Sequence, residues 1–185
     1  MDDQNADNPR LPESLTLGAL IRIDRKVNST RSFLVLLMYR LCHALYVKKS
    51  RVRLKLMIFA KNCLFVFLSL DAQISYKAEI GHHIRLPHSA MGVVISPYAV
   101  IRNNISIFHQ VTLGVNENLP VDKQRIIIED NCYLSAGSKI ISCRVGAGSK
   151  IAPNAVVFKD VPENSLCFSV NQIKSLEKTP EYGTD

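Results

Sequence analysis

Residues 95–113 read ISPYAVIRNNISIFHQVTL, and in this stretch Ile95, Ile101, Ile107 and Leu113 fall six residues apart. A strand repeats every two residues and an α-helix every 3.6, so neither produces this spacing. The same step runs upstream through Ile74, Ile80 and Leu86. Downstream it resumes at Ile128, Leu134 and Ile140, and again at Val145, Ile151 and Val157. The residue after the aliphatic one is often small, as at Ser75, Gly81, Ser96, Gly114, Ser135, Gly146 and Ala152. Small or β-branched residues also recur four positions after it, as at Ala78, Ala99, Val111, Cys132, Ser138, Ser149 and Ala155. One aliphatic residue per six fits one face of a three-sided parallel β-helix, with the aliphatic side chain inward and a small residue at the corner. Three steps make a coil of about 18 residues.

The steps break in three places. Leu86 to Ile95 is nine residues, which implies a three-residue bulge. Leu113 to Ile128 is fifteen and contains a polar excursion over residues 115–124. Ile140 to Val145 is five, a local irregularity. Solenoids accept insertions at corners, and sites are commonly built there.

The rest of the chain divides by texture. Residues 1–14 are a polar tail with Pro9 and Pro12. Residues 15–70 are expected to be α-helical. Leu34, Leu37, Met38, Leu41 and Leu45 recur at three and four residues, and Gly and Pro are absent from Ala19 to Leu70. Residues 71–172 form the repeat region and 173–185 a C-terminal tail. The fold class is therefore an α+β solenoid, with a helical segment followed by the β-helix.

Charge separates the same regions. The chain is 185 residues long with a net charge of +7, from 23 Lys+Arg and 16 Asp+Glu. Ten of the basic residues lie between Arg25 and Leu70, where there is no Asp or Glu. The remainder carries 13 basic and 16 acidic residues, a net of −3. The positive excess thus belongs to the helical segment. Residues 71–172 carry 9 basic and 8 acidic residues, close to balance, and lack a platform of interleaved aromatics, so a nucleic-acid partner is not expected. A solvated basic face accounts for the cations simply. The sharper reading is peripheral contact of residues 25–61 with an anionic membrane surface. Five cysteines without paired spacing suit a reduced, cytoplasmic chain. The acidic start has no signal-peptide pattern, and the longest apolar run, Asn62 to Leu70, is too short to span a bilayer.

Two histidines share a phase. His88 follows Leu86 by two residues and His109 follows Ile107 by two. The offset between those aliphatic positions is one coil plus the three-residue bulge. The pair is expected about one strand spacing apart, ~4.8 Å at the backbone, on successive coils. Two imidazoles at a corner can serve as general base and as orienting group. His82 and His83 fall outside this register and are read as surface residues. A zinc site needs three converging imidazoles. Only two share a phase, so no metal is expected.

The run Ile80-Gly-His-His-Ile-Arg-Leu-Pro-His-Ser-Ala-Met-Gly-Val-Val-Ile95, followed by Ile107-Phe-His-Gln-Val-Thr-Leu-Gly114, resembles the hexapeptide-repeat acyltransferases of the serine acetyltransferase type. Ser135-Ala-Gly-Ser-Lys-Ile140 and Pro153-Asn-Ala-Val-Val-Phe-Lys-Asp-Val-Pro162 are similar to that family's closing coils. The resemblance covers about residues 72–172. It implies a left-handed coil, a homotrimer, and acetyl-CoA bound between adjacent subunits by Gly114, Ala136, Pro153 and Lys159. It assigns His88 as general base. His109 would orient the acceptor or share the proton.

Three departures bear on the acceptor. Pro87 stands where the cysteine-pathway enzymes carry an Asp before the histidine, Gln73 where they carry a second Asp, and Gln124-Arg125-Ile126 where they carry Arg-His-Pro. Asn28-Ser29 and Tyr39-Arg-Leu-Cys-His43 are instead similar to the polysaccharide-modifying branch, such as the colanic acid acetyltransferase. The expected function is therefore acetyl transfer from acetyl-CoA to a sugar hydroxyl in surface or capsular polysaccharide biosynthesis. Serine O-acetylation and a non-catalytic scaffold are the competing readings. Transfer is expected to be direct, because no cysteine is in register with the histidines. The oxyanion donors are expected among backbone N–H groups near Val111–Gly114.

Overall fold

The computed structural model describes residues 15–168. The tail assigned to residues 1–14, the last four residues assigned to the β-helix (169–172) and the tail over 173–185 lie outside the described residues. Three helices come first: α1 (Leu17–Val27), α2 (Thr30–Val47) and α3 (Arg51–Phe67). Thr16 and Ser29 end the stretches before α1 and α2. Their hydroxyls accept from the N–H of Ala19 and Ser32, the usual N-cap geometry. No described helix is long and apolar enough to cross a membrane.

Thirteen short strands then form three parallel sheets. Sheet A holds β1 (Ala72–Ile74), β3 (Val93–Ile95), β6 (Thr112–Gly114), β9 (Lys139–Ile141) and β12 (Val156–Val157). Sheet B holds β2 (Glu79–Ile80), β4 (Ala99–Ile101), β7 (Ile126–Ile128) and β10 (Arg144–Val145). Sheet C holds β5 (Ser106–Ile107), β8 (Tyr133–Leu134), β11 (Lys150–Ile151) and β13 (Leu166–Cys167). The six-residue positions lie in register. Ile74, Ile95, Leu113, Ile140 and Val157 stack in sheet A. Ile80, Ile101, Ile128 and Val145 stack in sheet B. Ile107, Leu134 and Ile151 stack in sheet C, above Cys167. Twelve of the thirteen aliphatic positions are buried, and Ile74, on the first coil, is half-buried. That stack is the core of the prism.

Two of the three edges turn at the residue three positions after the aliphatic one. Gln110, Gly137 and Asn154 turn the C-to-A edge, and Asn104, Asn131 and Gly148 the B-to-C edge, all at positive φ. Glycine and asparagine enter that region at least cost. The five-residue step is absorbed at Ser142 (φ 46), whose N–H donates to the Gly114 carbonyl.

The first coil needs a cover for its unpaired edge. Helix α2 supplies it, largely through side chains bonded to coil carbonyls. The Ser32 hydroxyl donates to Leu86 (2.6 Å), the Tyr39 hydroxyl to Ala78 (2.8 Å), and Arg40 to Ile80 and Gly81 (2.6 Å each). His43 Nδ1 donates to the Tyr76 carbonyl (2.9 Å). Asn28, between α1 and α2, donates to the Ile84 carbonyl and accepts from the Leu86 N–H. Asp24 pairs with Arg40 at 2.9 Å, both fully removed from water. The Asn28-Ser29 and Tyr39-Arg-x-x-His43 motifs are therefore fasteners between helix and coil.

Candidate active site

The nine-residue step resolves into one left-handed turn. His88, Ser89 and Ala90 have φ values of 54, 62 and 57. Each costs about 1–2 kcal/mol for a residue with a side chain. Such strain persists where surrounding packing enforces it, and it concentrates at sites. Here Ala90 is buried, its N–H donates to the Pro87 carbonyl, and the next residues are tied down by Met91 N–H to the His88 carbonyl and Gly92 N–H to the Asp71 carbonyl. The turn pushes the exposed His88 out at the C-to-A edge.

His109 occupies the same edge one coil on. The two rings meet edge to face, centroids 4.8 Å apart and planes at 80°. Phe108 lies 5.9 Å from His88 and 4.9 Å from Tyr133, giving the pair an aromatic floor. His109 Nδ1 is buried without a hydrogen-bond partner. The edge continues through backbone bonds, Gln110 N–H to Met91, Gly137 N–H to His109 and Asn154 N–H to Ala136. Lys139 Nζ clamps it by donating to the Gln110 and Gly137 carbonyls, 2.9 Å each.

The residues expected to contact the acyl donor divide between two edges. Ala136 and Pro153 are on the histidine edge, at the corners before β9 and β12. Gly114 and Lys159 are on the A-to-B edge, at the ends of β6 and β12. Sheet A separates the two sets. The excursion over residues 115–124 leaves from the A-to-B edge beside Gly114, and Asn116 N–H donates to Ser142 Oγ there. Within the stretch expected to supply oxyanion donors, the Thr112 N–H is already used, bonded to the Ser138 carbonyl. His82 and His83 contact each other at the B-to-C edge, away from this site.

The sequence reading missed a recess. Arg31, Ser69, Asp71, His88, Ser89 and Met91 line an open space of about 370 Å³ between the helices and the first coil. Arg31 is anchored through its guanidinium to the Leu68 and Ser69 carbonyls. Asp71 sits just before the first strand of the coil, outside the six-residue register. Cysteines do not join this site. Cys132 and Cys143 are buried on other corners, and burial pushes both thiols up to about 11.

Over 71% of its length the chain is similar to serine acetyltransferases. It is 37% identical to that of Bacillus licheniformis over 133 residues, 71% of this chain and 58% of the relative. It is 35% identical to that of Buchnera aphidicola over 133 residues, 71% of this chain and 49% of the relative. The chain thus spans about half the length of these curated relatives. The crystal structure of Brucella abortus serine acetyltransferase in complex with coenzyme A superimposes with a TM-score of 0.70 at 26% identity, covering 83% of this chain and 65% of that one. No family model matches the chain.

These likenesses correct the expected sugar acceptor and the role in polysaccharide biosynthesis, since relatives at 35–37% identity are serine acetyltransferases. The structure supplies the physical reason. The motifs that suggested the polysaccharide branch fasten α2 to the first coil and do not line the recess beside His88.

Proposed function

We propose that this chain carries the catalytic part of an O-acetyltransferase that moves acetyl from acetyl-CoA to the hydroxyl of serine. The observation that carries the acceptor is the recess in which Asp71 and Arg31 flank His88. A carboxylate and a guanidinium beside one base complement the ammonium and carboxylate of an amino acid. They stand in for the acidic and basic groups that Pro87, Gln73 and Gln124-Arg125-Ile126 do not provide.

In this reading His88 accepts the hydroxyl proton as the serine oxygen attacks the thioester carbon. The C–O bond forms, the C–S bond breaks, and the proton passes to the leaving thiolate. His109 supports the first ring from its edge. Acetyl-CoA lies along sheet A between Gly114 and Lys159 on one side and Ala136 and Pro153 on the other, in the groove between adjacent subunits of a homotrimer. The left hand of the coil belongs to the same likeness.

The test is thiol release from acetyl-CoA in the presence of serine, with O-acetylserine identified by mass spectrometry. The expected result is stoichiometric thiol and ester, lost in His88→Ala. Asp71→Asn should raise KM for serine and leave KM for acetyl-CoA unchanged. Absence of serine-dependent release would overturn the acceptor. Absence of release with every hydroxyl acceptor would leave a non-catalytic scaffold.

A further inference from the structure

Helix α3 is apolar on two faces, and the fold uses only one. Leu54, Met57, Ile58, Leu64, Phe65 and Leu68 turn toward the body and are half-buried, with Phe65 and Leu68 packed on the core. On the far side Val52, Leu56, Phe59, Val66 and Phe67 are 81, 68, 67, 82 and 85% exposed, and the exposed Cys63 lies among them. At 3.6 residues per turn these six fall within an arc of about 100°. This is a continuous stripe running the length of the helix.

Cations border the stripe. Arg51 and Lys55 project on one side of it and Arg53 on the other, by the same helical spacing. Lys48 and Lys49 stand in the turn before α3, and all five are exposed. Among the described residues none of the five is in an ion pair. Of the segment's other five basic residues, Lys26 on α1 is exposed and the remaining four are engaged. Arg40 is buried with Asp24, Arg31 holds the Leu68 and Ser69 carbonyls, Arg25 lies over Phe33, and Lys61 lies over Phe65. The outward positive charge is thus concentrated at the first half of α3.

We infer that the outer face of α3 docks on an anionic lipid surface. The apolar stripe would enter the boundary between headgroups and acyl chains, while Arg51, Arg53, Lys55, Lys48 and Lys49 reach sideways to anionic headgroups. A bilayer satisfies both features together. A second copy of the chain would bring another stripe with five more cations and no acid between Arg25 and Leu70, so its charge does not complement this face. The inference is independent of the acceptor proposed above.

The chain has no Trp, so Phe59→Trp gives a single emission probe on the stripe without removing apolar area. The full-length protein is mixed with vesicles of phosphatidylcholine alone, or with about a third phosphatidylserine. The expected result is cosedimentation and a blue shift with the anionic vesicles only, both diminished by high salt. Lys48→Gln/Lys49→Gln/Arg51→Gln/Arg53→Gln should weaken binding by at least about tenfold. Leu56→Ser/Phe59→Ser should abolish it while circular dichroism stays unchanged. Equal binding to both vesicle types, no binding to either, or unaltered binding by the fourfold variant overturns the inference. So does self-association, or capture of an acidic polypeptide, that depends on Leu56 and Phe59 without any vesicle binding.

Discussion

The His88 ring presents an edge to the His109 ring at 4.8 Å, although the two residues belong to successive coils. A bulge of three left-handed residues puts the first imidazole there, and the regular corner after β5 puts the second. Their unequal surroundings predict unequal roles. His88 is exposed and borders the recess, whereas His109 is half-buried with an unpartnered Nδ1. General-base assistance is worth about 10²–10⁴-fold. His88→Ala should lower kcat for serine-dependent thiol release by about that factor, with KM for acetyl-CoA little changed. His109→Ala should lower kcat less. Equal activity of His88→Ala and the parent protein would remove His88 from the reaction.

Asp24 and Arg40 make the strongest prediction for stability. Both are buried, and Arg40 also donates to the Ile80 and Gly81 carbonyls. Removing one partner of a buried pair costs about 3–5 kcal/mol, because the other charge is left without compensation. Asp24→Ala should therefore shift the urea midpoint down strongly. Asp24→Leu/Arg40→Met removes both charges but strands two coil carbonyls, each costing about 1–3 kcal/mol when buried unsatisfied. The double variant should thus remain well below the parent.

Two glycines predict opposite signs. A Cβ on Gly81 would sit 2.4 Å from Asn103 Oδ1 and 2.7 Å from the Arg102 carbonyl oxygen. That backbone atom cannot rotate away, so Gly81→Ala should destabilise by about 1–3 kcal/mol. Gly18, in α1, has nothing within 4 Å of its position for a Cβ. Gly18→Ala should stabilise by about 0.5–1 kcal/mol through helix propensity. Paired thermal melts check both.

The coil was legible because its geometry forces a rule on the sequence. One inward side chain per face per coil leaves a six-residue trace, and even the five-residue step shows as a dropped position that Ser142 absorbs. The histidine pair was legible for the same reason, since equal phase means equal edge. The recess was not, because Arg31 and Asp71 are separated by two helices, and only the folding of α2 and α3 over the first coil brings them to His88. Tyr39, Arg40 and His43 misled for a related reason. A polar motif on a helix looks alike in sequence whether it holds a ligand or a neighbouring carbonyl, and here it holds carbonyls.

The cysteines give a prediction with both a kinetic and a pH signature. Cys63 is exposed, Cys167 half-buried, and Cys42, Cys132 and Cys143 buried. Burial raises the Cys42 thiol above its ordinary range and takes Cys132 and Cys143 to about 11, with their Sγ atoms directed at the Gly146 and Val157 carbonyls. A thiol-specific chromogenic reagent near pH 8 should modify one group quickly and a second slowly in the native protein, and all five in urea. Cys63→Ser should remove the fast phase alone. The buried thiols also couple stability to pH. Their folded pKa lies above the ordinary value near 9, so the unfolded chain loses these protons first as pH rises. Their contribution is complete below about pH 9 and is lost as pH rises toward 11. Urea midpoints should fall across that window, and the fall should be shallower in Cys132→Ala/Cys143→Ala, measured against its own midpoint at pH 7. Rapid native modification of Cys132 or Cys143 at pH 8 would contradict the burial on which both signatures depend.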